Sequence, residues 1–136
     1  MSLLFKAIRE LRPGAKFALK NREIVNYVGD DEPPTEKEIK AKLKELEVEN
    51  TKKQIELRAT NFVKKQLSKL DYDNEGEVAL YAANENSEWH DEAVKLQGWI
   101  EEVYKKMYEL QDSVTVENYK EINLDDIEAE YPAFEE

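Results

Sequence analysis

The chain contains no cysteine, which excludes a disulfide scaffold and thiolate metal sites and leaves carboxylates as its metal ligands. Histidine occurs once, at position 90. No Gly-rich loop that could cradle phosphate and no Ser-His-Asp arrangement can be found. Basic residues are in deficit, 20 Lys and Arg against 31 Asp and Glu, for a formal charge of −11 and a pI near 4.7. That balance argues against direct contact with nucleic acid or an acidic membrane surface, both of which draw on clustered Lys and Arg. The opening apolar run stops at Lys6, too short for a signal-peptide core or a membrane span, which reads as a protein of the cell interior. Glycine and proline are missing from residues 35–75, so nothing there interrupts a helix.

What is present is helical pattern. In residues 89–110, Trp89, Ala93, Leu96, Ile100, Val103, Met107 and Leu110 alternate spacings of four and three, a seam that must lie against another helix of this chain or of a partner. Trp99, Tyr104 and Tyr108 widen it on its flanks. A length of 136 residues suits one domain plus a tail.

In order along the chain, Ser2 can cap a first helix running to Leu11, and Pro13-Gly14 stops it. Alternating patterns over Lys16–Lys20 and Glu23–Val28, joined by Asn21-Arg22, predict a β-hairpin that uses the first helix or a neighbouring subunit as its floor. After a breaker-rich linker at residues 29–34, Thr35-x-x-Glu38 is a capping box. It opens a segment that, if helical to Leu70, runs roughly 50 Å at about 1.5 Å per residue. Ile39, Leu43 and Leu46 form one seam there, whereas Ile55, Ala59, Phe62, Val63, Leu67 and Leu70 form another that is out of phase with it. The slip falls in residues 47–54, and continuity with the two halves facing different partners is preferred to a break near Asn50-Thr51. Asn50 itself reads as exposed rather than as a buried register pin.

A turn at residues 71–76, a short helix at 78–83 and Ser87 as cap of the Trp89 helix complete an antiparallel helical hairpin with the Phe62 side of the long helix. Residues 113–136 carry eight acids against Lys120. Disorder is one reading of such a tail. The other is an arm ordered on a partner, because apolar residues punctuate it and Tyr131-Pro132-Ala133-Phe134 could anchor its end.

Asp71-x-Asp73-x-Glu75-Gly76 begins like a calcium loop, but Ala82 stands where the bidentate Glu belongs, so a helix-to-helix turn is the better reading. His90 is flanked by Asp91 and Glu92 without a nucleophile, so no catalytic residue, cofactor site or metal site is expected.

Two stretches resemble small proteins encoded among the tail genes of tailed bacteriophages. The first runs Ala7-Ile8-Arg9-Glu10-Leu11-Arg12-Pro13-Gly14-Ala15-Lys16-Phe17-Ala18-Leu19, then the strand ending near Tyr27, then Pro34-Thr35-Glu36-Lys37-Glu38-Ile39 with Leu43 and Leu46. The second is Leu70-Asp71-Tyr72-Asp73, Ala79-Leu80-Tyr81-Ala82, then Trp89, Glu92-Ala93, Leu96, Trp99 and Tyr104. It departs from that pattern at Ile100, where members carry Arg, and in the acidic tail. The resemblance implies a non-enzymatic tail component or tail-fibre assembly factor, found in the virion tail or in the host cytoplasm during assembly.

The expected fold is mainly α with a small N-terminal β-hairpin (α+β): a long helix, an antiparallel helical hairpin and an extended acidic C-terminal arm. The expected segments are 1–32, 33–112 and 113–136. Partner-binding candidates are Trp89, Leu96, Trp99, Ile100, Val103, Tyr119, Ile122, Ile127, Tyr131 and Phe134, facing tail or tail-fibre proteins or a second copy. An acidic nucleic-acid mimic that blocks a DNA-binding protein is the alternative, motivated by the −11 charge.

Overall fold

A computed structural model describes residues 2–136, which form a mostly helical α+β chain whose only described strands are one N-terminal hairpin. The first helix, α1 (Leu3–Leu11), starts at Ser2, whose hydroxyl accepts the Phe5 N–H at 3.2 Å. It buries Leu4, Ala7 and Ile8. Pro13 and Gly14 then occupy the centre of a turn closed by the Ala15 N–H on the Arg12 carbonyl at 3.2 Å. Gly14 has φ +84°, the left-handed position that a type II turn gives to glycine.

Strand β1 (Lys16–Lys20) pairs antiparallel with β2 (Glu23–Val28) across Asn21 and Arg22, both at positive φ (52° and 67°). Those values define the type I′ turn whose twist suits a two-residue hairpin. The register runs from Lys20↔Glu23 to Ala18↔Val25 and then to Lys16↔Val28, so β2 gains one residue. Asn26 at φ 54° sits in that bulge. Phe5 of α1 and Phe17 of β1 place their rings 4.8 Å apart, which gives the hairpin the apolar floor that two strands need. Arg12 ties this end together: its Nε donates to the Glu32 carbonyl at 2.8 Å and its Nη2 lies 3.4 Å from Glu38 Oε2.

Helix α2 (Glu36–Lys69) opens on the expected capping box. The Thr35 N–H donates to Glu38 Oε1 at 3.1 Å, and the Glu38 N–H donates to Thr35 Oγ1 at 3.2 Å. It then runs unbroken for 34 residues. The phase slip is bridged by Thr51, buried between Leu46 and Ile55 in the sequence of buried positions, while Asn50 is exposed. The chain nevertheless divides into two compact units, Met1–Asn50 and Thr51–Glu136. The boundary between them falls inside α2, and residues 113–136 belong to the second unit.

In the second unit α2 buries Ile55, Ala59, Val63 and Leu67. It ends in a Schellman motif, with the Tyr72 N–H on the Leu67 carbonyl at 2.9 Å and the Asp71 N–H on the Ser68 carbonyl at 3.2 Å. Asp71 takes the left-handed position, φ 63°, that glycine usually fills. Asn74 caps α3 (Glu75–Ala82) by accepting the Glu77 N–H at 2.8 Å, so this helix starts three residues before the expected 78. Helix α4 (His90–Asp112) starts later than Ser87 implies. The Ser87 hydroxyl accepts the Trp89 N–H at 3.2 Å within the preceding turn, and Trp89 occupies the cap position without a side-chain bond. Helix α4 buries Ala93, Leu96, Trp99, Ile100, Val103 and Met107. Its Gln111 Nε2 donates to the Lys52 carbonyl at 2.9 Å, and its Trp99 ring lies 5.7 Å from Phe62. A late residue of α4 thus meets an early residue of this half of α2, and an earlier one meets a later one, which is antiparallel packing.

Candidate functional site

The aromatic groups of the second unit converge where the C-terminal arm crosses the α2–α4 pair. Phe62 touches Trp99 at 5.7 Å and Tyr131 at 5.6 Å between centroids, and Trp99 touches Phe134 at 5.7 Å. Each separation falls in the range of attractive tilted and edge-on ring pairs. The two polar ring groups are satisfied as well. Trp99 Nε1 donates to the Pro132 carbonyl at 2.7 Å, and the Tyr131 hydroxyl donates to the Ile55 carbonyl at 3.1 Å. Ion pairs set the path of the arm, Arg58 with Asp125 at 3.6 Å and Lys65 with Glu128 at 3.3 Å. Exposed pairs of this kind contribute little each, so the apolar anchors hold the arm and the charges orient it.

Two stretches of 3₁₀ helix, Tyr119–Glu121 and Leu124–Glu130, shape the arm, and Asn123 caps the second by accepting the Asp125 N–H at 3.2 Å. Val114, Ile127 and Tyr131 are buried. The arm is thus ordered on its own chain, where disorder and ordering on a partner were the expected alternatives. The physical reason is that α2 and α4 alone leave Phe62 and Trp99 uncovered, and the arm carries the rings that cover them.

This placement sorts the ten partner-binding candidates. Leu96, Trp99, Ile100, Val103, Ile127 and Tyr131 are buried within the unit, which removes them as partner-facing groups in this conformation. Tyr119, Ile122 and Phe134 are half-buried. Trp89 remains 49% exposed, resting on Tyr81 at 5.3 Å between centroids. The seam, expected against another helix of this chain or of a partner, packs within the unit against α2 and the arm. The sequence pattern placed Phe62 on the facing seam but did not single it out as the hub, nor Gln111 as the clasp or Arg58 and Lys65 as guides for the arm. The charge pattern carried a signal for the guides: residues 51–70 hold six bases and one acid, opposite in sign to the arm.

Burial shows in the tyrosines. Desolvation raises Tyr131 to about 12, with the Glu128 carboxylate adding to it. Desolvation also raises Tyr104 to about 12, helped by Glu75, whose Oε1 accepts its hydroxyl at 2.5 Å. Tyr72 reaches about 12 through burial first and the neighbouring Glu92 carboxylate second. That bond from Tyr104 ties α4 to the start of α3. Residues 71–76, the stretch like a calcium loop, are built as a helix-to-helix turn: Asp71 ends α2, Asn74 caps α3 and Glu75 serves Tyr104. His90 Nδ1 lies 3.3 Å from the Tyr81 carbonyl, a distance at which an Nδ1–H donates to it. Among the described residues no three His, Asp or Glu side chains are grouped to hold a metal ion, and no helix is long and apolar enough to cross a membrane.

Beside the aromatic hub, whose Trp99 and Phe134 form part of its wall, the unit offers an open groove of roughly 450 Å³ between α4 and the end of the arm, lined also by Val94, Lys95, Gly98, Glu102 and Pro132. Charge is distributed unevenly. Residues 1–50 hold ten acids and ten bases, so the second unit carries the whole excess of −11. Within it, residues 71–92 have eight carboxylates and neither Lys nor Arg. No family model, curated protein or solved structure matches this chain.

Proposed function

We propose that the chain is a non-enzymatic adaptor working through protein–protein contacts, of the type found with the tails of tailed bacteriophages, where it joins tail or tail-fibre subunits. The observation that carries this reading is the fit between the resembling stretches and the architecture. The stretch from Ala7 to Leu46 lies wholly within the first unit, and the stretch from Leu70 to Tyr104 lies wholly within the second. Two such units on one chain suit a protein that engages more than one neighbour. A transient tail-fibre chaperone shares the same chemistry of contact and differs only in whether the protein stays in the particle.

The test is quantitative mass spectrometry of density-purified particles beside the lysate they came from. A fixed copy number per particle supports the adaptor. Presence in the lysate alone transfers the reading to the chaperone, and absence from both during infection overturns the tail assignment.

A second reading, an acidic mimic of nucleic acid, draws on the eight carboxylates of residues 71–92, none of which forms an ion pair among the described residues. It requires the chain to compete with DNA for a basic protein surface. Unchanged DNA binding by such a protein in the presence of excess chain excludes it.

A further inference from the structure

Gly98 is in the middle of α4, and a Cβ built there meets no atom within 4 Å. The chain's own packing therefore does not require a glycine, although glycine is among the poorest helix formers. At about 100° per residue, Gly98 points away from the buried line Ala93, Leu96, Ile100, Val103 and Met107. Around it on the outward side lie Asp91, Val94, Lys95, Glu101, Glu102 and Lys105, all exposed, with Val94 at 47%. A bare backbone at the centre of an exposed helix face allows another helix to approach closely.

We propose that this face of α4 pairs with the same face of a second copy, the two helices antiparallel and crossing at Gly98. The charges select that occupant. In an antiparallel pair centred on position 98, residues before it lie level with residues equally far after it on the other copy, and the two-fold sets each flank of the face against the same flank. Lys95 and Glu102 share one flank of the face, three places before and four places after position 98, so Lys95 meets the second copy's Glu102; Asp91 and Lys105, near the middle of the face at seven places on either side, meet the second copy's Lys105 and Asp91. The two-fold symmetry of a like-with-like interface repeats each pair, giving four opposite-charge contacts. Val94 and the groove beside Pro132 and Phe134 supply apolar surface on either side of the crossing. This inference is independent of the tail assignment, since it concerns only the chain with itself.

The test uses the full-length protein and light scattering during size-exclusion chromatography at high micromolar loading. The wild-type chain is expected to run as a dimer. Lys95→Glu and Glu102→Lys are each expected to lose the dimer, because each places like charges at both contacts, yet an equimolar mixture of the two is expected to recover it as a heterodimer. Gly98→Leu is expected to lose the dimer while retaining the helical circular dichroism of the parent. A wild-type chain that stays monomeric overturns the proposal. So does a dimer indifferent to the charge reversals and to Gly98→Leu, which would place the interface on another face.

Discussion

Replacing Tyr131 by Ala tests whether the acidic arm belongs to the core of the second unit. Tyr131 is 5% exposed, packs its ring on Phe62 and donates a hydrogen bond to the Ile55 carbonyl. Removing a buried aromatic side chain typically costs about 3–5 kcal/mol, and the ring pair with Phe62 argues for the upper half of that range. Tyr131→Phe separates the components. It keeps the ring and loses only the hydroxyl bond, for an expected cost of about 1 kcal/mol, because Ile55 lies inside α2 and its carbonyl also serves the helix ladder.

Both tryptophans, Trp89 and Trp99, lie in the second unit, so tryptophan fluorescence during urea unfolding follows that unit. In a Trp89→Phe background only Trp99 reports. Its indole N–H is held by the Pro132 carbonyl at 2.7 Å and the ring is 6% exposed, so loosening the arm should shift its emission to the red before any denaturant is added. An unfolding free energy for Tyr131→Ala within about 0.5 kcal/mol of the parent, the range of ordinary surface changes, together with an unmoved Trp99 spectrum, would refute the docked arm. It would return the arm to the solvent or to a partner.

Three further outcomes follow from local geometry. In an alkaline absorbance titration, Tyr72, Tyr104 and Tyr131 should ionise near 12 while unfolded tyrosine ionises near 10. The unfolded chain loses these protons first, so their contribution is fully present below pH 10 and is lost as pH rises from about 10 to 12; unfolding midpoints that stay flat across that window would contradict the burial. Asp71→Gly should stabilise the second unit by up to about 1 kcal/mol in urea unfolding, since glycine fits φ 63° without the Cβ penalty. Thr35→Ala should cost about 0.5–2 kcal/mol through loss of the cap, read by helical circular dichroism. The Thr35 N–H, aided by the Thr35 hydroxyl and Arg12, holds the Glu38 carboxyl below its ordinary 4.5, so this part of the stability is present above pH 4.5 and fades as pH falls through the lowered value.

Where local chemistry decides, the elements were legible in the residues. Ser2, Pro13-Gly14, Asn21-Arg22 and Thr35-x-x-Glu38 mark helix starts and turns by hydrogen bonds spanning only a few positions, and each occupies that role in the fold. The bulge at Asn26 was not legible, because one residue of slippage leaves the alternating pattern readable on both sides. The division within α2 was legible as the slip between its two seams in residues 47–54, but the burial of Thr51 was not, since it is polar in sequence. The candidate site was half legible: the seam of α4 identifies a helix that must be covered, but a periodicity does not say by what. The arm's apolar residues are spaced for 3₁₀ turns and extended backbone, so they show no helical or strand period that would match them to that seam.

The docked arm changes where a partner can bind. Its anchors Ile127 and Tyr131 already serve the core that contains Leu96, Trp99 and Val103, so a partner that used these residues would first have to peel the arm away. Tyr131 alone sets that cost at about 3 kcal/mol or more, equivalent to a loss of over a hundredfold in affinity. A partner that leaves the arm in place meets no such penalty. Contacts to this unit should therefore fall on its outward side chains, Trp89, Val94 and the charged residues around Gly98, and the acidic arm should act as a structural strap whose charge is partly neutralised by Arg58 and Lys65. Deleting residues 113–136 should accordingly expose Phe62 and Trp99 and increase nonspecific association, where a partner-binding arm would instead leave a soluble, well-folded chain that had lost one specific contact.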